Sequence, residues 1–302
     1  MQSTEVNVEP LRRLLLEIEG QTSLKEPSHL RERIEVLDRL EAYLFPFSVP
    51  PIALSETEAT IYDRARAIQT DLEAINSEIY ACLRREIRQG RGRASLLRWF
   101  PCLAGVNASL EVDHEGYDYL DEVIIGVLQF EEPETATAQF TAEMIPYQPT
   151  PARHIFDLLE RTALREEDVL VDIGSGLGHV PLMTSICTSA RSVGVELEPA
   201  YVACARSAAE SLNLKRVAFI QQDARAADFG MGTVFYLYAP FIGTILGAVL
   251  DLLRNEAQAR TIRICTFGPC TPVIAAENWL EAVGEARLDR ISIFRSIYPH
   301  TI

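Results

Sequence analysis

Three glycines alternate with other residues directly after an acid near the middle of the chain, where the sequence reads DIGSGLG from Asp172 to Gly178. The first two glycines, Gly174 and Gly176, enclose Ser175, and an apolar segment of helical character follows. Glycine has no Cβ, so its backbone can approach a bound molecule closely, and a helix start offers N–H groups without partners in the helix. The third glycine comes one residue earlier than in the G-x-G-x-x-G pattern of dinucleotide-binding loops. We therefore predict a strand, a ligand-binding glycine turn and a helix.

Two further apolar runs also end in acids. The run VGV is followed by Glu196, which lies 24 residues past Asp172, and the run that begins at Val217 ends in Asp223. In doubly wound α/β folds, a carboxylate at about the first of these distances binds the hydroxyl groups of a ribose. Glu196 is therefore a candidate for binding a ribose.

A fourth apolar run, TVFYLYAPF, ends at Phe241 in aromatic residues and a proline. Side chains alternate along a strand, so Tyr236 and Tyr238 share one face and Tyr238 is nearer the strand end. A phenol there can donate or accept a hydrogen bond, and its ring can hold a cationic or planar group. Tyr238, Tyr236 and Phe241 are our candidates for the residues around a reacting group. The alternative is that both tyrosines pack beneath the following helix.

The four motifs in this order resemble those of the class I S-adenosylmethionine (SAM) methyltransferases. An acid followed by G-x-G-x-G is similar to their first motif, and TVFYLYAPF is similar to their fourth. The series VDIGSGLGHV, GVELEPAYVACAR, QQDARAADF and TVFYLYAPF also resembles the non-SET histone-lysine methyltransferases, which carry a helical amino-terminal part. The fourth motif of those enzymes has asparagines at the strand end, where this chain has Tyr238 and Ala239. The identity of the methyl acceptor is therefore left open.

The resemblance implies an α/β fold with a seven-stranded Rossmann-like sheet and SAM as the cofactor. It implies that the methionine end of SAM lies over the glycines from Gly174 to Gly178, with the ribose on Glu196 and the adenine amine near Asp223. It also places the end of the fourth strand beside the transferable methyl group. Residues 285–297 are then expected to form the final β-hairpin of the sheet.

The proline-rich segment YQPTP, which precedes the first strand of the sheet, is a further candidate for the cofactor site. Class I methyltransferases have a segment at this place that crosses over the bound cofactor. By this resemblance Tyr147, Gln148 and Thr150 contact the cofactor or the substrate. A simple linker between two domains is the alternative interpretation.

The chain is predicted to have two parts, a helical substrate or lid region over residues 1–145 and a SAM-binding catalytic domain over residues 146–302. Apolar residues recur at helical spacing within residues 10–18, 28–44 and 56–89. Such stripes require burial. We therefore expect the first part to pack against the catalytic domain and to cover its cleft.

The net charge of −15 opposes binding to nucleic acids, whose affinity depends largely on phosphate neutralisation. A local exception is an arginine cluster, which is typical of a helix end or of an anion-binding surface: Arg84, Arg85, Arg88, Arg91, Arg93 and Arg98.

The sequence shows no apolar run long enough for a membrane span and no signal-peptide pattern at its start, which favours a cytoplasmic protein. The spacing of Cys265 and Cys270 does not suit zinc, so no metal is expected.

Transfer of a methyl group from SAM to a protein side chain or a small molecule is the function that the sequence favours. A SAM-binding or scaffold protein without catalytic activity is one alternative. Transfer of an aminopropyl group on the same fold is another, although that reaction requires several acids around a polyamine. The oligomeric state is left open.

Overall fold

The computed structural model describes residues 8–44, 56–99, 117–131 and 141–297. By its internal contacts the chain divides into two units, Met1–Leu83 and Arg84–Ile302. The first unit contains helix α1 (Glu9–Gly20), helix α2 (Leu30–Leu44) and most of helix α3 (Glu56–Arg88). The predicted stripe of α1 is buried in the core of this unit, with Leu11, Leu14, Leu15 and Ile18 each at most 5% exposed.

The second unit is built on one mixed sheet of seven strands in the order β3-β2-β1-β4-β5-β7-β6. The strands are β1 (Val169–Ile173), β2 (Arg191–Glu196), β3 (Val217–Gln221), β4 (Val234–Leu237), β5 (Arg263–Thr266), β6 (Leu280–Ala282) and β7 (Ser292–Ser296). The first five strands are parallel, and β7 runs antiparallel to β5 and β6. All five residues of β1 and all four of β4 are buried, as parallel strands covered on both faces require. The predicted α/β class and seven-stranded sheet are confirmed.

Seven helices belong to the described part of the second unit. They are α4 (Gly92–Trp99), α5 (Tyr119–Leu128), α6 (Ala152–Thr162), α7 (His179–Cys187), α8 (Pro199–Ser211), α9 (Gly243–Ala259) and α10 (Thr271–Ala275). Helix α4 packs against α7, and α5 packs against α6. Both α4 and α5 precede residue 146, so the second unit includes part of the predicted amino-terminal region. The boundary predicted at residue 145 stays a prediction.

The pair of strands at the carboxyl end begins earlier than the sequence analysis predicts. Residues 285–297 contain β7 alone, whereas β6 ends at Ala282, before the connecting segment that includes Gly284 with a φ of 89°. Strand β6 has three residues, two of them exposed, so it carries no apolar alternation that a sequence pattern would reveal.

Three arginines of the cluster donate hydrogen bonds to the carboxyl ends of helices. Arg84, Arg88 and Arg93 donate hydrogen bonds to the carbonyl oxygens of Gly126, Ser211 and Cys187, at 2.5, 2.7 and 3.3 Å. These carbonyls lie in the last turns of α5, α8 and α7, where they have no partner within the helix. This geometry favours the helix-end interpretation of the cluster. Within the described ranges, no helix is both long and apolar enough to cross a membrane.

Candidate functional site

A cleft with a volume of about 200 Å³ opens at the carboxyl ends of the central parallel strands. The residues that follow β1, β2, β3 and β4 all contribute to it, and a preceding segment of the chain covers one side. Among its lining residues are Gln148, Gly174, Glu196, Asp223, Tyr238 and Phe241. Ligands of open α/β sheets bind at this edge, so the topology itself selects the cleft as the candidate site.

The glycine turn between β1 and α7 requires glycine at each of its three positions. Gly174, Gly176 and Gly178 have φ angles of 79°, 52° and 86°. A Cβ on Gly174 would lie 2.3 Å from Cβ of Pro240, and a Cβ on Gly176 would lie 2.1 Å from Cε2 of Tyr147. The turn is therefore packed closely between the end of β4 and the covering segment, and only glycine fits there.

Glu196, at the end of β2, fixes the glycine turn. Its Oε2 accepts a hydrogen bond from the N–H of Gly176 at 2.8 Å, and its Oε1 accepts one from the N–H of Glu198 at 2.8 Å. An ionised carboxylate has about four lone-pair sites, so both oxygens can accept a further hydrogen bond from a ligand. Asp172 is 5% exposed, and burial together with the charge of Glu196 raises its pKa well above the ordinary value.

Asp223 lies in the cleft two residues past β3, but its carboxylate already has a partner. It accepts hydrogen bonds from the N–H of Arg225 at 2.9 Å and from the guanidinium of Arg225 at 3.0 and 2.6 Å. The hydrogen bond from this guanidinium lowers the pKa of Asp223. Arg225 was not among the predicted site residues, although it stands two residues after the predicted acid. A contact of Asp223 with an adenine amine stays a prediction.

The two tyrosines at the end of β4 lie in different environments. Tyr238 lines the cleft, and its ring centroid is 4.7 Å from that of Phe267. Tyr236 is 1% exposed, lies outside the cleft lining and has its hydroxyl 3.0 Å from Oγ1 of Thr150. Phe241 lines the cleft but is itself 5% exposed. The structure thus brings Tyr238 and Phe241 to the cleft, and it places Tyr236 and Thr150 behind them.

We call residues 141–150 the strap, because its middle part, from Met144 to Gln148, lines one side of the cleft. The hydroxyl of Tyr147 is 3.1 Å from Nδ1 of His179, and its ring centroid is 5.2 Å from that of Tyr201. Burial raises the pKa of Tyr147, so the phenol is neutral. Gln148 is exposed at the cleft. Tyr201 lines the cleft from the first turn of α8, and the sequence analysis missed it because small residues dominate that helix.

The described residues hold no group of three or more histidines, cysteines or acids that could bind a metal ion. Cys265 and Cys270 are buried in the sheet region as free thiols. Burial raises the pKa of Cys265 to about 12, which makes it a poor metal ligand at neutral pH.

The family model described as "Histone methylation protein DOT1" matches residues 138–230 of this chain. This range contains the strap, the glycine turn, Glu196 and Asp223. The chain shows no match among curated protein sequences.

Several solved structures are similar to part of this chain. An RNA methyltransferase from Salinibacter ruber in complex with S-adenosyl-L-homocysteine is 25% identical, over 51% of this chain and 96% of that one, with a TM-score of 0.42. A SAM-dependent methyltransferase from Geobacter sulfurreducens in complex with S-adenosyl-L-homocysteine is 22% identical over 38% and 47%, with a TM-score of 0.33. TrmN from Thermus thermophilus is 17% identical over 47% and 48%, with a TM-score of 0.37. This chain thus spans about half the length of the second and third of these structures.

The sheet order, the cleft and the family match agree on the class of protein. The chain is a SAM-dependent methyltransferase of class I, with SAM as its cofactor. The family match covers less than half of the chain.

Proposed function

We propose that this chain transfers the methyl group of SAM to a nucleophile carried by a protein side chain or by a small molecule. One observation carries the proposal. The end of β4 meets the glycine turn so closely that a Cβ on Gly174 would lie 2.3 Å from Cβ of Pro240. An acceptor bound against Tyr238, Pro240 and Phe241 would therefore adjoin a cofactor bound on the glycine turn.

The cofactor would lie across the ends of three strands. We assign the methionine end to the glycine turn from Gly174 to Gly178, the ribose to Glu196 and the adenine to the region of Asp223. Ser175 supports the first assignment, because its Oγ is buried in the turn and has no hydrogen-bond partner among the described residues. The lone pairs that remain on Glu196 suit the hydroxyl groups of a ribose.

The chemistry of the site would rest on position rather than on a strong base. SAM supplies an activated methyl group on a sulfonium, so the protein mainly has to align the acceptor and exclude water. The ring of Tyr238 packs against that of Phe267 in a tilted arrangement, which holds the phenol at the cleft. That phenol can orient a polar acceptor through a hydrogen bond, and its ring can hold a cationic one.

Electrostatics favours a protein or small-molecule acceptor over a nucleic acid. The net charge of −15 repels phosphate backbones, and three arginines of the basic cluster donate to helix carbonyls. The cleft itself contributes the carboxylates of Glu196 and Asp223. These features give a polyanion little positive surface to bind.

The test follows a labelled methyl group. The protein is incubated with SAM that carries a tritiated methyl group and with a cell extract, which is then separated into protein, nucleic-acid and small-molecule fractions. We expect label in the protein or small-molecule fraction, and we expect its loss when Glu196→Ala replaces the wild type. Label found only in nucleic acid would contradict the proposed acceptor class, and the absence of any transfer would contradict the proposed activity.

A further inference from the structure

The amino-terminal end of the strap is fastened to the loop at the end of β4. Met144 forms an isolated antiparallel bridge with Phe241. The N–H of Ile145 donates to the carbonyl oxygen of Pro240 at 3.1 Å, and the N–H of Ile242 donates to that of Glu143 at 2.8 Å. The segment over the cofactor cleft is therefore tied by its backbone to the loop that faces the acceptor.

The side chain of Glu143 adds a second connection, to the start of α9. Its Oε2 accepts hydrogen bonds from Oγ1 of Thr244 at 2.8 Å and from the N–H of Ile245 at 3.0 Å. The residue at the N-cap position of α9 is Ile242, which provides no side-chain cap. Because the first N–H groups of a helix have no partner within it, a carboxylate is favourable there. Glu143 thus acts as the cap of a helix that begins 100 residues later in the chain.

The start of α9 is shaped to receive this carboxylate. Gly243 has a φ of 60°, and a Cβ on it would lie 2.5 Å from Oε1 of Glu143. Hydrogen bonds from Thr244 and Ile245, followed by the charge of Arg225, lower the pKa of Glu143. Arg225 is the same residue that pairs with Asp223 in the cleft. The carboxylate is therefore ionised and held in place at neutral pH.

We propose that Glu143 is a positioning residue for the cofactor. Its carboxylate connects the strap to the start of α9, and this connection, which we call the latch, holds Tyr147 and Gln148 of the strap over the cleft. Without the carboxylate, the strap loses its side-chain connection to α9 and bound SAM is released faster. This inference rests on the proposed function, because it takes the cleft as the site of SAM.

The test compares Glu143→Ala, Glu143→Gln and Thr244→Val with a control, Glu166→Ala, which makes the same chemical change at an exposed position. The affinity for SAM is measured by calorimetry, and the dissociation rate of S-adenosylhomocysteine by stopped flow. The Tm of the unliganded proteins is recorded alongside. We expect Glu143→Ala to weaken SAM binding by about tenfold, mostly through faster dissociation, because charge-assisted hydrogen bonds are lost. Glu143→Gln and Thr244→Val should lie between wild type and Glu143→Ala, and Glu166→Ala should match wild type.

A role confined to capping α9 would lower the Tm of Glu143→Ala but leave its SAM affinity within twofold of wild type, and this result overturns the proposal. If Glu143→Ala does not fold, unchanged affinity and dissociation rates in Glu143→Gln and Thr244→Val overturn it equally. Failure of the wild type to bind SAM would instead overturn the cofactor site on which the latch depends.

Discussion

Tyr236 and Tyr238, at the end of β4, have different surroundings, and this difference decides which of them a bound molecule can contact. Tyr238 lines the cleft, whereas the hydroxyl of Tyr236 is buried against Thr150. Burial raises the pKa of Tyr236 well above its ordinary value, and the hydrogen bond with Thr150 opposes this rise. We therefore propose Tyr238, and not Tyr236, as the tyrosine that contacts the acceptor, while Tyr236 connects β4 to the strap.

We expect Tyr238→Phe to bind SAM as wild type does but to turn over the true acceptor more slowly, because only the hydroxyl that would orient the acceptor is lost. Tyr236→Phe is the matched change. It should lower the free energy of unfolding by about 1–2 kcal/mol, since Thr150 is left without its buried partner. Calorimetry with SAM, turnover and chemical denaturation separate the two variants. Unchanged turnover with reduced stability in Tyr238→Phe would show that this hydroxyl stabilises the fold instead.

His154, on α6, is a second buried group with a measurable consequence. It is 1% exposed, and its ring centroid lies 4.1 Å from that of Phe267. Neither of its ring nitrogens has a hydrogen-bond partner among the described residues. Burial, followed by the charge of Arg153, lowers the pKa of His154 to about 4. The folded protein therefore keeps this imidazole neutral at pH values where the unfolded chain protonates it.

The sign of the resulting pH dependence follows from this difference. Between pH 6.5 and pH 4 the unfolded state binds a proton that the folded state does not, so stability is lost as the pH falls. From pH 7 to pH 5 this histidine should account for about 2 kcal/mol of that loss. Denaturation curves of wild type and His154→Phe at both pH values measure it. The wild type should lose more stability than the variant, and equal losses would contradict the buried, neutral state of His154.

At the scale of elements, the glycine turn, the strap and the end of β4 form one packed group. Each of Gly174 and Gly176 lies against a neighbouring element at a distance that a Cβ would not permit. A side chain in the turn would therefore displace either the loop after β4, through Pro240, or the strap, through Tyr147.

Gly174→Ala tests this packing, and Gly284→Ala provides a control for the backbone alone. Both glycines have positive φ, 79° and 89°, but a Cβ on Gly284 would meet nothing within 4 Å. Gly284→Ala should cost about 1–2 kcal/mol of stability from its conformation and keep the affinity for SAM. Gly174→Ala should cost more and should lose SAM binding, because Pro240 must shift. Equal effects of the two changes on binding would contradict the close contact.

The elements of the sheet were predictable because each central strand is a short apolar run with a clear end, at a glycine or an acid for β1, β2 and β3 and at aromatic residues and a proline for β4. The cleft residues at these strand ends were predictable for the same reason, since parallel strands bring their carboxyl ends to one edge. Contacts between distant segments were not. No local pattern indicates that Glu143 caps α9 or that Tyr236 reaches Thr150.

At the scale of the whole molecule, the sheet unit begins well before the strap. Arg84 donates to the carbonyl of Gly126, and the N–H of Ala152 donates to the carboxylate of Asp121 at 2.7 Å. Burial raises the pKa of Asp121. Segments before residue 141 thus cover α6 and α7 and complete this unit.

Two truncated chains should differ for this reason. A fragment of residues 84–302 should fold and bind SAM with an affinity close to that of the full chain. A fragment of residues 141–302 lacks α4 and α5, so it should expose the apolar surfaces beneath them and be poorly soluble or inactive. Solubility, circular dichroism and SAM calorimetry make the comparison. Normal folding and turnover of the shorter fragment would show that the preceding segments are dispensable.

The central claim is that SAM binds across the strand ends with its ribose on Glu196, and calorimetric titration of SAM tests it most directly. Wild type and Glu166→Ala should bind SAM with the same affinity. Glu196→Ala should bind at least about tenfold more weakly, because hydrogen bonds to a charged group are worth about 1.5–3 kcal/mol. A wild type that does not bind SAM, or a Glu196→Ala variant with unchanged affinity, would contradict the account.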